Sequence, residues 1–199
     1  MRHPLLTCSF NPSLIQPVTG GRPGRAHPCL PKDLTITMTL PTEFSRFLNA
    51  PTLEVLCDLS VQVGTPISIG QTAQGLRRII PILGGQVTGQ IVGTLLPGGA
   101  DYQRLLDGAR LGHLDARYVI ETEARETIFV QNKALRVMSS ENSQKMMRGE
   151  AVNPEVIYFR SQVQFETESN AYRWLQDFQF IGTGVRLPTS VHLRFFKVL

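Results

Sequence analysis

The sequence predicts an all-β domain, a single antiparallel, up-and-down-like β-barrel of about 8 to 10 strands with one short helix. Three observations carry that reading. Apolar and polar residues alternate with period two over much of the chain from Leu53 onward, which places apolar side chains on one face of a pleated strand. Turn-forming segments interrupt the alternation at short intervals: "GTP", "GG", "PGGA", "DGARLG", "NPE", "GTG" and "LPTS". These connections are too short for parallel crossovers, so successive strands are antiparallel neighbours. Closure into a barrel removes the edges that so many strands would expose.

Residues 1–37 precede the pattern and hold six of the thirteen prolines with no periodicity. They offer no apolar face whose burial would offset the entropy of ordering, so this leader is expected to be disordered. It reads either as an upstream extension foreign to the native chain, with Met38 as the true start, or as a targeting segment. The prolines count against targeting, because they would break the amphipathic helix of a transit peptide. The barrel domain is placed at 38–199, and "MTLPTEFSRFLNAP" is its entry, with at most one short helix.

"LEVLCDLSVQV" then sets Leu53, Val55, Cys57, Leu59, Val61 and Val63 on one side and Glu54, Asp58, Ser60 and Gln62 on the other, a half-buried strand. Similar runs predict strands near 76–82, 86–96, 100–106, 113–122, 127–133, 156–165, 178–182 and 190–198. In "GGQVTGQIVGTLL" the glycines at 85, 89 and 93 share a strand face, where they permit sharp coiling or leave space for a ligand. Only "SSENSQKMMRGEAVNP" looks helical, capped by Ser139 or Ser140 and ended by Gly149 and Pro154.

The net charge of +4 is unevenly spread. Arg2, Arg22, Arg25 and Lys32 stand against Asp33 in the leader; taking these from the totals of 20 basic and 16 acidic residues leaves 16 and 15 in 38–199. So neutral a body argues against nucleic acid as a partner, which needs clustered lysine and arginine. Of three cysteines only Cys57 lies in the body, so no disulfide framework is expected and a reducing, cytoplasmic location is the default. No apolar run is long enough to span a membrane as a helix.

Familiar catalytic machinery is missing from the sequence. The body has two histidines, His113 and His192, and one cysteine, with no zinc-ligand spacing. There is no phosphate loop, no dinucleotide fingerprint and no nucleophile elbow. Neither a metal nor a cofactor is expected. Chemistry here would have to use carboxylates, arginines and tyrosines.

Those residues gather in two adjacent segments. "HLDARYVIET" has Asp115, Arg117 and Glu121 on one face and Leu114, Ala116, Tyr118 and Ile120 on the other; "ADYQRLL" sets Asp101 and Gln103 on one side. The polar faces are either a solvated outer wall or a polar floor inside the barrel, where each charge needs a partner. Asn132 lies on the stripe of Ile128 and Val130, and Arg160 on that of Val156 and Tyr158. Both are stronger interior candidates, because the rest of each stripe is apolar.

Taken in order, "GLRRIIPILGGQVTG", "LPGGADYQ", "LDARY", "IFVQN", "YFRSQVQFET" and "YRWLQDFQFIGTG" resemble the family described as domain of unknown function 3237, also called uncharacterised protein family 0311. The resemblance spans roughly residues 51–199. It implies an antiparallel barrel, in agreement with the strand count, and points to Arg78, Asp101, Gln103, Asp115, Arg117, Asn132 and Arg160 as pocket residues. Some fungal relatives look like natural-product enzymes that close an oxygen heterocycle stereoselectively without a cofactor. The resemblance therefore implies a cofactor-independent cyclase or isomerase acting on an aromatic, polyketide-like small molecule. Asp101 or Asp115 would be the acid. Arg78, Gln103, Arg117, Asn132 and Arg160 would bind substrate oxygens, with Tyr118 and Trp174 as stacking surface. The alternatives are a non-catalytic barrel binding a phenolic, apolar ligand and a structural homodimer with a filled core.

Overall fold

A computed structural model describes residues 47–199. The expectations for the 1–37 leader and for the segment 38–46 lie outside the described residues. Ten strands follow one another as β1 (Leu53–Val63), β2 (Ile67–Thr72), β3 (Gly75–Gly89), β4 (Gly93–Leu95), β5 (Ala100–Leu106), β6 (Leu111–Thr122), β7 (Thr127–Val137), β8 (Tyr158–Glu166), β9 (Phe180–Arg186) and β10 (Ser190–Val198). Every pairing is antiparallel. The path β1-β10-β9-β8-β7-β6-β4-β3 closes on itself through a β1–β3 pairing, β5 bridges β3 and β6, and β2 folds back on β3 outside the ring. The result is a closed eight-stranded antiparallel barrel with two extra strands and one short helix.

That helix, α1 (Ser140–Met147), starts as its sequence requires: the Ser139 hydroxyl accepts the Asn142 N–H at 3.1 Å. Beyond its end, Gly149 adopts φ 82°. Its buried Ser143 donates to the Ala109 carbonyl at 2.7 Å, tying the helix to the β5–β6 turn. Among the described residues no helix is long and apolar enough to cross a membrane.

Two strand expectations need correction. Residues 86–96 are not one strand: β3 runs to Gly89, the chain reverses over 90–92, and β4 returns to pair Gly93 with Val87 and Leu95 with Gly85. The turn hides in the alternation because Ile91 within it is buried. The glycines do permit close approach, since a Cβ on Gly85 would collide with the Ser60 carbonyl and one on Gly93 with the Glu121 carbonyl. Strand β2 has no counterpart in the alternation, because most of it lies exposed on the outside of β3. In β1, a bulge after Val55 turns Leu56 and Cys57 both inward and leaves Leu53 and Val55 exposed.

The interior is graded in polarity along the barrel axis. At one end Phe165 packs edge-on against Phe180 and Phe195, with ring centroids 5.0 and 6.2 Å away, beside Ile91, Ile128, Val130 and Leu175. Along β7 the inward stripe runs Ile128, Val130, Asn132, Ala134, Arg136, and along β9, parallel to it in the ring, Phe180, Gly182, Gly184, Arg186. Both stripes begin apolar and end on an arginine.

Candidate functional site

Those arginines border a cavity of about 50 Å³ inside the basic end of the barrel. Its polar lining is Asp101 and Gln103 from β5, Tyr118 from β6, Asn132 and Arg136 from β7, and Arg186 from β9; aliphatic walls come from β1, β3 and β10, including Val61, Ile80, Ile82 and Leu193. Register explains the convergence. Arg78 lies opposite Gln103, Asp101 opposite Ala116, Ala116 opposite Asn132, and Gly112 opposite Arg136, so the inward stripes of four neighbouring strands meet. Gly112 carries no side chain and leaves room for the guanidinium beside it.

A relay orients the acid. Arg78 Nε donates to Gln103 Oε1 at 2.7 Å, which turns the Gln103 amide nitrogen toward Asp101, where it donates to Oδ2 at 2.5 Å. Asp101 Oδ1 is sealed from solvent and has no hydrogen-bond partner. Burial raises the Asp101 carboxyl above its ordinary range, although the Gln103 hydrogen bond, the Arg136 charge, the backbone N–H of Asp115 and the Arg78 charge pull the other way. The shift is toward the protonated form relative to a free carboxyl, and Oδ1 is the oxygen without a hydrogen-bond partner.

Opposite stands an unusual base. Arg136 is only 2% exposed. Its Nε has no hydrogen-bond partner, and among the described residues no carboxylate forms an ion pair with it. Burial, reinforced by repulsion from Arg78 and Arg186, lowers its pKa to about 10. Arg186 is lowered too, first by burial and then by Arg78; its guanidinium is held by the carbonyls of Leu187, Pro188 and Ser190 in its own hairpin. Two more residues of the lining carry a buried polar atom without a hydrogen-bond partner, the Tyr118 hydroxyl and Asn132 Oδ1. Burial pushes the Tyr118 phenol far up, so it is a neutral donor.

The sequence-derived candidates separate into two groups. Arg78, Asp101, Gln103, Tyr118 and Asn132 come together here. Asp115, Arg117, Arg160 and Trp174 do not, and the expectation that they face inward is corrected. Asp115 and Arg117 are register partners of Tyr102 and Ala100, so they point opposite to Asp101 and pair with each other at 3.0 Å on the outer wall, Arg117 being 52% exposed. Partial burial raises the Asp115 carboxyl, but hydrogen bonds from Arg117 and Gln131 outweigh it and hold the group below its usual range. Arg160 lies on the outer face of β8, its guanidinium 5.3 Å from the centre of the exposed Tyr158 ring. The inward stripe of β8 is Phe159, Ser161, Val163 and Phe165. Trp174 sits in a short turn (Arg173–Gln176), packs 6.3 Å from Phe180 at the apolar end, and lines no part of the cavity.

Sequence reasoning missed Arg136 and Arg186. The signal for Arg136 was present: it continues, two steps on, the same period-two stripe that singled out Asn132.

Comparison with known proteins places the chain firmly. The family model described as "Protein of unknown function (DUF3237)" matches residues 51–198. A UPF0311 protein of Bradyrhizobium diazoefficiens is 40% identical over 151 residues, 75% of this chain and 99% of that protein. The crystal structure of a conserved protein of unknown function from Rhodopseudomonas palustris superposes with TM-score 0.70 at 36% identity, covering 76% of this chain and 99% of that one. The crystal structure of an enzyme from Penicillium herquei shares the fold at TM-score 0.55 and 21% identity, over 76% of this chain and 96% of that one. With its family model matched over nearly the whole barrel and its fold shared from end to end, this chain belongs to the DUF3237 (UPF0311) family.

Proposed function

We propose that the barrel is a cofactor-independent cyclase or isomerase that closes an oxygen heterocycle on a phenol-bearing small molecule, with Asp101 as the general acid. The observation that carries this reading is a buried carboxyl on a residue that lines the cavity, shifted toward its protonated form and with no hydrogen-bond partner at Oδ1. An acid kept neutral by an apolar site can donate where solvent would have ionised it. The enzyme from Penicillium herquei lends the reading support as a catalyst built on this same fold.

In such a closure the phenol oxygen forms a bond to an alkene carbon, the π bond breaks, and the neighbouring carbon takes the Asp101 proton. The phenol proton then returns to Asp101, so the reaction is an isomerisation with no net proton change. Arg78 and Arg136 stabilise the oxyanion that develops, and the Tyr118 hydroxyl and Asn132 amide fix its position. The cavity is about a third of the roughly 150 Å³ that accommodates benzene. Only the reacting end of a substrate enters it, and the remainder extends past Arg78 and Arg186, which are half-exposed.

The test is stereochemical. 1-(2-Hydroxyphenyl)but-2-en-1-one closes unaided to racemic 2-methylchroman-4-one. Purified protein should give an excess of one enantiomer by chiral chromatography, and Asp101→Asn should slow the enzymatic component by about 10²- to 10⁴-fold. Racemic product at stoichiometric protein would overturn the proposal. Retention of the precursor on the protein without turnover would favour a binding barrel instead.

A further inference from the structure

The cavity has a charge problem that ring closure alone does not explain. Arg136 and Arg186 line it, Arg78 adds its repulsion from behind Gln103, and the one carboxyl in the lining is Asp101. Arg136 is almost completely buried, its Nε unpartnered. Three guanidinium groups that share a single carboxyl, one of them almost fully desolvated, are a costly arrangement for a core. A chain that needed only a filled core would do better with an aliphatic residue there, because the neighbouring Ile80, Ile82, Leu114 and Ala134 already supply an apolar lining.

We infer that the basic end of the barrel binds the carboxylate of a small organic acid, the carboxylate end entering the cavity and the apolar body extending over its half-buried edge at Val63 and Val191, with Arg136 as its principal charge partner. The inference rests on the same cavity as the proposed activity and adds a second class of occupant, an organic acid that competes there with the phenol-bearing substrate. The guanidinium fork of Arg136 suits a planar carboxylate, and Arg78 has Nη donors left after its Nε is committed to Gln103. Val61, Val63, Val191 and Leu193 give the rest of the ligand an apolar surface. A fully hydrated anion such as phosphate would leave that wall unused and its outer oxygens without donors.

Isothermal titration of the full-length protein with three probes tests this: isobutyrate, its neutral isostere isobutyramide, and inorganic phosphate. Isobutyrate should bind at least tenfold more tightly than either of the others. Arg136→Met should lose that binding while remaining folded by circular dichroism, and Arg117→Ala, on the outer wall, should keep it. Equal binding of isobutyramide, tighter binding of phosphate, or undiminished isobutyrate binding by Arg136→Met would each overturn the inference. Should Arg136→Met fail to fold, Arg136→Lys serves instead: it keeps a charge but loses the fork, and is expected to weaken isobutyrate binding at least fivefold, an unchanged affinity again overturning the inference. Because binding is read without turnover, racemic product with intact isobutyrate binding removes the cyclase reading alone. Chiral product without carboxylate preference removes this inference alone.

Discussion

Asp101 and Arg136 are carried by folding into the same poorly hydrated space, and each resists its charged form there. For Asp101 the folded state holds the proton more tightly than the unfolded chain. Its contribution to stability is therefore complete below the ordinary carboxylate value near about 4 and declines as the pH climbs toward the raised value. Asp101→Asn removes that decline, so its melting temperature should exceed that of the parent at neutral pH and converge with it in acid; a constant difference across the range would show an uncoupled carboxyl. Arg136 is the mirror case. With its pKa lowered to about 10, holding the charge at neutral pH costs on the order of 3 kcal/mol, a burden relieved as pH rises through that value. Arg136→Met should raise the denaturation midpoint at pH 7 and narrow its advantage above pH 10. A residue whose removal stabilises the fold and abolishes ligand binding is kept for function. Period two singled out Asn132, and extending it along β7 reaches Arg136; Asp101 and Gln103 came from the family resemblance, since alternation allows either face of their segment to point inward. Alternation alone could not place Arg160, because Val156, in the turn before β8, and Tyr158, on its outer face, continue the same spacing and look as apolar as an inner stripe.

The strands show how a glycine can replace a turn signal. Gly85 and Gly93 face each other's strands so closely to β1 and β6 that a methyl group would strike a backbone carbonyl on each side. Gly93→Ala should cost about 1–3 kcal/mol in urea denaturation, as overpacking does elsewhere, whereas Gly98→Ala, with open space around it but φ 106°, should be penalised through its backbone conformation alone. If Gly93→Ala proves neutral, the close approach of β4 to β6 is wrong. The same glycines explain why the reversal at 90–92 was illegible. No proline or Asn-Gly pair marks it, and Val87, Ile91 and Leu95 keep the spacing of one continuous strand while belonging to two strands and a turn. The β5–β6 hairpin was legible because "DGARLG" announces it, with Asp107, Gly108 and Ala109 all at positive φ.

Across the molecule the apolar end and the basic end divide the work: aromatic packing at Phe165, Phe180 and Phe195 supplies cohesion that offsets the uncompensated charge at Arg136. The barrel class was readable from strand count and short connections, and its closure from the need to remove edges. The gradient along the axis was not, because it depends on which ends of antiparallel strands lie together, a matter of register. Closure has one more effect. β10 lies against β1, and the backbone of Thr52 is bonded to that of Leu199 through N–H···O contacts of 3.2 and 2.9 Å. In connectivity the barrel is thus nearly a circle, open only between Leu199 and Thr52. A permuted gene that joins Leu199 to Thr52 through a few glycines and begins anew in the exposed turn at 123–125 should yield the same barrel, with the arginine-lined cavity intact and near-unchanged melting.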